Sequence, residues 1–270
     1  MMTDNLLQQI ARCAAALGLA LATVAFADDD QPTTPGKELE SLRQEIKELK
    51  EGQGAIQQQL GEIKQFLQAA RQQPARPPAA QPIDAIIPID NAPTKGKPDA
   101  RLVLVEFSEY QCPFCQRSFQ SVLTQVDKDY IQTGKLRYVF KDFPLEELHN
   151  NAFKSAEAAH CAGDQGKYWE MHDRLFNNQQ ALAPENLTAY AEAIGLNRDT
   201  FQQCLDSAKY ATQVRDGLAQ GQQLGVQGTP TFFLGTTTAD GKIKAVRVMR
   251  GALPYPVFKE TIDSLLAAGS

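Results

Sequence analysis

The stretch Arg101-Leu-Val-Leu-Val-Glu-Phe-Ser-Glu-Tyr-Gln-Cys-Pro-Phe-Cys115 decides the fold, because in fifteen or so positions it changes from one backbone habit to another. Leu102 to Phe107 is a Leu/Val run interrupted only by Glu106, suited to a buried strand. Ser108 to Gln111 reads as a turn. From Pro113 to Ile131 the apolar residues Phe114, Phe119, Val122, Leu123 and Val126 fall at helical spacing, and Pro113 suits a first helical turn, where its missing N–H would have had no partner. A second strand, Leu136 to Phe140, follows the Thr133-Gly134 turn. Strand, helix, strand in that order implies a parallel crossover.

Downstream, residues 146–223 read as helical almost throughout, with breaks near Gly163-Asp164, Ala183-Pro184 and Gly195-Leu196, so these helices should pack as a bundle. Strand character returns at Thr231 to Leu234 and at Lys244 to Met249. Asp240-Gly241 between them is a hairpin turn signal, and an amphipathic helix closes the chain from about Tyr255 to Ala267. Residues 101–268 therefore form an α/β domain with a helical insertion at about 146–223.

Upstream, Leu39, Leu42, Ile46, Leu49, Ile56, Leu60, Ile63 and Leu67 recur in steps of three and four once Gln53 is counted in the series. That is a heptad seam over a long N-terminal helix, residues 37–70, with Gln53 as the polar position that sets register. Glu45 and Lys50 occupy flanking positions able to pair between parallel strands. The expectation is a homo-oligomer formed through residues 39–67; the competing reading is a solvated helix lying against its own domain. Gly52, Gly54 and Gly61 each weaken the helix by up to about 1 kcal/mol, which makes association the better account. Residues 71–100 contain Pro74, Pro77, Pro78, Pro82, Pro88, Pro93 and Pro98, a density that favours an extended linker.

The first residues bear on compartment. Arg12 precedes the uncharged run Cys13 to Ala27, which ends Ala25-Phe26-Ala27 before three aspartates. A basic flank, a short apolar core and small residues at the cleavage site describe a signal peptide, residues 1–27. Cleavage after Ala27 is favoured over retention of 13–27 as a membrane anchor, so the mature chain is expected in the periplasm or another extracytoplasmic space. Cys13 leaves with the signal, and Cys112, Cys115, Cys161 and Cys204 remain, an even set suited to an oxidising compartment. The net charge of −5, with no local Lys/Arg cluster, argues against nucleic acid as a partner. A hydrophobic content of 43% argues against disorder throughout.

Cys112-Pro113-Phe114-Cys115 carries the chemistry. At a helix N-terminus the first amides are unpaired and the dipole is positive, so a thiolate on Cys112 is stabilised below the ordinary thiol range. Cysteines three apart can cycle between dithiol and disulfide, Cys112 exchanging with substrate and Cys115 resolving the mixed disulfide. Half of a zinc site would look the same, but Cys161 and Cys204 lie 43 positions apart and His149, His160 and His172 lack ligand spacing. No metal and no cofactor are expected. A purely structural bridge is disfavoured because so small a loop removes little chain entropy.

Together with Lys141-Asp-Phe-Pro-Leu145, Gly166-Lys-Tyr-Trp-Glu-Met-His172 and Gly225-Val-Gln-Gly-Thr-Pro-Thr231, these residues resemble the DsbA-like branch of the thioredoxin superfamily over about Arg101 to Leu266. The resemblance implies a thioredoxin fold with a helical insertion and a thiol:disulfide oxidoreductase. It implies that Thr229-Pro230 is a cis-proline loop beside the redox pair, offering backbone hydrogen bonds to an extended substrate, where local rules alone favour a trans proline opening a strand; the apolar Phe114 is expected to favour unfolded, extended substrates at the same site. It implies that Glu106 is the buried acid that exchanges a proton with Cys115, the competing reading being a residue at the sheet's rim. It also implies a second, structural disulfide between Cys161 and Cys204. Trp169 and the three histidines read most simply as core or surface residues. Relatives of the oxidase type carry Pro-His where this chain has Pro-Phe, so Cys112 is expected to be less acidic than theirs.

The function expected is disulfide exchange with unfolded or disulfide-containing exported proteins, as an oxidase recharged by a membrane redox partner. An oligomeric isomerase or reductase is the nearest alternative, since the stalk could bring several sites to one cleft. A non-enzymatic envelope adaptor is the further one.

Overall fold

The computed structural model describes residues 35–72 and 79–268, with side chains described at 36–65 and 79–268. The expected signal peptide, 1–27, and the linker residues 73–78 lie outside the described residues. The chain divides into two units between Ala75 and Arg76.

The first unit contributes helix α1, Pro35–Gln72. Its seam residues Leu39, Leu42, Ile46, Leu49, Ile56, Leu60 and Ile63 are all half exposed or more. Side-chain hydrogen bonds one turn apart, Gln44 to Glu48 at 3.0 Å and Gln58 to Glu62 at 3.2 Å, line its polar face. Among the described residues no helix is long and apolar enough to cross a membrane.

The second unit is built on a six-stranded sheet. Its strands are β1 Gln81–Ile87, β2 Thr94–Lys95, β3 Leu102–Ser108, β4 Leu136–Asp142, β5 Thr231–Thr237 and β6 Ile243–Arg250, in the spatial order β1-β6-β5-β3-β4-β2. Only β3 and β4 run parallel, joined by helix α2; the other pairs are antiparallel. Strand β3 is central and buried along its whole length, which explains a run with almost no polar residue. Side chains alternate across it. Leu102, Leu104, Glu106 and Ser108 share the face that carries Leu136, Tyr138, Phe140, Phe232 and α2; Val103, Val105 and Phe107 share the other, with Ile87, Val139, Phe143, Phe233, Ile243 and Val248.

Helix α2 is a continuous helical run made of Pro113–Arg117, Ser118–Leu123, Thr124–Val126 and Asp127–Ile131, the second and fourth pieces having wider π turns. The sequence spacing predicts an ordinary α-helix here. The Thr124 hydroxyl donates to the carbonyls of Phe119 and Gln120 at 3.2 and 3.3 Å, and the Ser121 hydroxyl to that of Arg117 at 2.7 Å. Such back-bonding competes with the backbone for carbonyls along the helix and weakens it locally.

Between β4 and β5 come α3 Ala152–Gly163, α4 Tyr168–Asn177, α5 Pro184–Ala193, α6 Arg198–Asp206 and α7 Ala211–Gln223, and α8 Tyr255–Ala267 closes the chain. Asn197 caps α6 by accepting from the Thr200 N–H at 2.9 Å. Helix α7 approaches β4 so closely that a Cβ on Gly217 would lie 2.7 Å from the Asp142 carbonyl oxygen. Cys161 of α3 and Cys204 of α6 are bonded, with Cα atoms 5.8 Å apart.

The stretch expected as linker is only partly so. Gln81–Ile87 pairs with β6 and Thr94–Lys95 with β4, so both belong to the sheet. Proline tolerates this because β1 and β2 are edge strands, and the β1 register slips between Pro82 and Ala85. Ile87 and Ile89 are buried while Ile86 faces out, as period-two alternation requires.

Candidate functional site: the Cys112–Cys115 pair

Strand β3 delivers the chain to the top of the sheet, and α2 begins immediately after the turn. Cys112 occupies the N-cap of α2 in an extended conformation, with Pro113 in the first turn. Both cysteines are free thiols and both are buried, Cys115 completely. The Cys112 thiol is lowered to about 6. The main cause is the hydrogen bond from the Cys115 thiol; burial opposes it, and the helix-start N–H groups of Cys115 and Phe114 add to it. Cys115 is pushed well above the ordinary thiol range, first by burial and then by its neighbour Cys112. One sulfur is therefore poised as thiolate and the other as thiol.

Across from the pair, the Thr229-Pro230 peptide is cis, and the Thr229 carbonyl oxygen lies 3.5 Å from Cys112 Sγ. The loop precedes β5, whose pairing with β3 brings residue 229, far along the chain, to residue 112. Phe114, between the cysteines, is 53% exposed, and the Arg117 guanidinium sits 4.9 Å from its ring centroid. It offers an apolar surface at the mouth of the site.

Glu106 lies on the sheet face beneath α2 and is fully buried, not at the sheet's rim. Its Oε2 accepts from the Tyr138 hydroxyl at 2.5 Å, and its Oε1 has no hydrogen-bond partner. Burial pushes its carboxyl up from 4.5 to about 7, against the Tyr138 hydrogen bond. A carboxyl titrating near neutrality beside a buried thiol can give or take a proton there.

Four residues at the site escape sequence reasoning. Tyr138 could have been found by strand parity, since it pairs with Leu104 and so shares the face of Glu106. Gln179, after α4, is buried and donates to the carbonyls of Tyr110 and Cys112, both at 2.8 Å, bracing the redox turn from the insertion. Nothing local marks it. Glu109 is buried and bonded to His149, a histidine read from sequence as an ordinary core or surface residue. The other two histidines are buried: His160 Nε2 lies 2.7 Å from Asp142 Oδ2, and His172 sits among aromatic rings. The Trp169 indole donates to the Thr94 carbonyl at 3.2 Å, holding edge strand β2. Among the described residues no cluster of His, Cys, Asp or Glu could hold a metal.

A helix-start dithiol set against a cis-proline loop, on a mixed sheet with a helical insertion, defines the class of thioredoxin-fold dithiol proteins. A family model described as Thioredoxin matches residues 90–250, and the chain belongs to that family. It is 24% identical over 184 residues to "Disulfide bond formation protein D" of Bacillus subtilis, covering 66% of this chain and 78% of that protein. It is 34% identical over 154 residues to "Na(+)/H(+) antiporter NhaA 1" of Salinispora arenicola, covering 56% of this chain. The match spans 23% of that antiporter's length. Among solved structures, a point variant of Wolbachia pipientis α-DsbA1 superposes with a TM-score of 0.59 at 26% identity, covering 67% of this chain and 94% of that one. Oxidised BdbD from Bacillus subtilis gives 0.59 at 23% identity, covering 68% and 97%.

Proposed function

We propose that this chain is a thiol:disulfide oxidoreductase that oxidises exported proteins through Cys112 and Cys115. The observation that carries the reading is the division of the pair: a thiol lowered to about 6 on Cys112 and a fully buried, raised thiol on Cys115. In the oxidising direction a substrate thiolate attacks Cys112 Sγ of the Cys112–Cys115 disulfide. The new bond is substrate S to Cys112 Sγ; the bond broken is Cys112–Cys115, and Cys115 leaves with the electron pair. Glu106, protonated near neutrality, supplies the proton that Cys115 takes up. A second substrate thiolate then attacks the first substrate sulfur, forming the substrate disulfide and releasing Cys112 as thiolate. The enzyme ends as a dithiol, reduced by two electrons, which a membrane redox partner must remove. Stabilising the Cys112 thiolate favours this reduced product and so makes the disulfide a better oxidant.

Phe114 and the Thr229-Pro230 loop would hold an extended, unfolded segment of the substrate across the pair. Export is supported by the Ala25-Phe26-Ala27 site in the sequence, and self-association by the exposed heptad seam of α1. That seam also favours the second reading, an oligomeric isomerase or reductase with several sites facing one cleft. The antiporter name belongs to proteins of which this chain matches about a quarter, and ion transport is not carried over.

The test is Cys112→Ala assayed for disulfide transfer to a reduced, unfolded test protein. Transfer should vanish while the unfolding transition stays close to wild type. Transfer at the wild-type rate overturns the proposal.

A further inference from the structure

Among the described residues of the second unit, the large apolar side chains that stand mostly in solvent are Ile86, Phe114 and Leu148. Ile86 lies on edge strand β1 and Phe114 in the first turn of α2. Leu148 is 76% exposed, more than any other large apolar residue described, α1 included, and it belongs to the loop 143–151 between β4 and α3. A lone exposed leucine is ordinary on a protein surface. This one is set apart by how its loop is held.

Leu145, near the start of the loop, packs against the apolar cluster that contains Phe107 and Phe143. Its carbonyl accepts from the N–H groups of Leu148 and His149 at 2.9 and 2.8 Å, and the His149 carbonyl accepts from the Ala152 N–H at 3.0 Å. The loop is then fastened to the residues that lead into Cys112. The Gln111 side-chain oxygen accepts from the Asn151 N–H at 2.8 Å, and its side-chain nitrogen lies 3.5 Å from Asn150 Oδ1. His149 Nδ1 is bonded to Oε1 of the buried Glu109, whose Oε2 accepts from the Gln111 N–H at 2.6 Å. Leu148 is thus carried on a braced support, and seating a ligand against it costs little ordering entropy in the loop.

Two residues along the chain place the Leu148 Cα no more than about 8 Å from that of Asn150, which meets Gln111, the neighbour of Cys112. An extended segment advancing about 3.3 Å per residue covers such a distance in two to four residues. Phe114 follows Cys112 in the chain, and the Leu148 loop is tied to the residues that precede it. We propose that Leu148 is a specificity-determining residue, which takes up an apolar side chain lying two to four residues from the reacting cysteine of an extended substrate. The inference rests on the disulfide-exchange reading and narrows its substrate class to unfolded segments with an apolar residue at that spacing.

The test is single-turnover oxidation of short two-cysteine peptides by the protein in its Cys112–Cys115 disulfide form. In each turnover the peptide dithiol gives up two electrons and two protons and becomes a disulfide, and the Cys112–Cys115 pair receives them. Two peptides are compared over a range of concentrations, alike except for Leu or Ser three residues outside each cysteine. Wild type should reach half its maximal rate at a lower concentration of the Leu peptide than of the Ser peptide. Leu148→Ser should raise that concentration about 5- to 10-fold for the Leu peptide, the effect of losing a partly buried leucine contact. The maximal rate, the Ser peptide and the urea midpoint should not change, and Ile86→Ser should match wild type with both peptides. Equal half-saturation for the two peptides in wild type, an equal loss for both in Leu148→Ser, or the same loss in Ile86→Ser would overturn the proposal and leave disulfide exchange standing. A wild type that oxidises neither peptide would remove the disulfide-exchange reading, and this inference with it.

Discussion

Replacing Glu106 by glutamine removes a buried charge while leaving an oxygen to accept the Tyr138 hydroxyl. In the folded protein burial pushes the Glu106 carboxyl up from 4.5 to about 7, the Tyr138 hydrogen bond pulling the other way. The folded state therefore holds this proton more tightly than the unfolded chain does. The associated stability is fully present below about pH 4.5 and is lost as pH rises to about 7. At about 1.4 kcal/mol per pH unit, that loss is about 3 kcal/mol. A glutamine does not ionise, so Glu106→Gln retains the stability at alkaline pH. Urea unfolding of both proteins, in the same redox state, measures the difference across the range. The two should be close at about pH 4, diverge between about 4.5 and 7, and remain about 3 kcal/mol apart above that, the variant being the more stable. The same variant should exchange disulfides more slowly, because an amide has no proton to trade with Cys115. A difference that does not grow with pH, or a variant less stable than wild type at about pH 8, would refute the reasoning.

Two further outcomes are expected. Converting Cys161 and Cys204 to serine opens a loop with a sequence separation of 43; the chain-entropy argument puts the loss of stability at about 4 kcal/mol, read from guanidinium unfolding with the Cys112–Cys115 pair left intact. Deleting residues 37–70 removes the seam of α1, and sedimentation should then report a monomer where the full chain reports an assembly; an unchanged mass would reject the seam as the assembly element.

Much of this protein is legible along the chain. The switch from Leu102–Phe107 to Pro113–Ile131 needs only local rules, period two giving way to helical spacing at a proline-started turn, and the structure places β3 and α2 there. The heptads of α1 are likewise local, and the helix runs Pro35–Gln72. Proline density misleads at 81–87 because local rules cannot say that a segment will lie at a sheet's edge, where a missing N–H is harmless. The π turns of α2 at Ser118–Leu123 and Asp127–Ile131 leave no mark on the spacing of its apolar residues, which predicts an ordinary α-helix.

The sequence by itself determined where the candidate chemistry lies: a Cys112–Cys115 pair at a helix start and an acid, Glu106, within the strand that leads to it. Only the tertiary structure decided the protonation landscape around them. Tyr138 reaches Glu106 from 32 residues away, Gln179 grips the redox turn from 67, and His149 meets Glu109 from 40. Acidity depends on burial and on charges near in space, and neither is a property of neighbours in the chain.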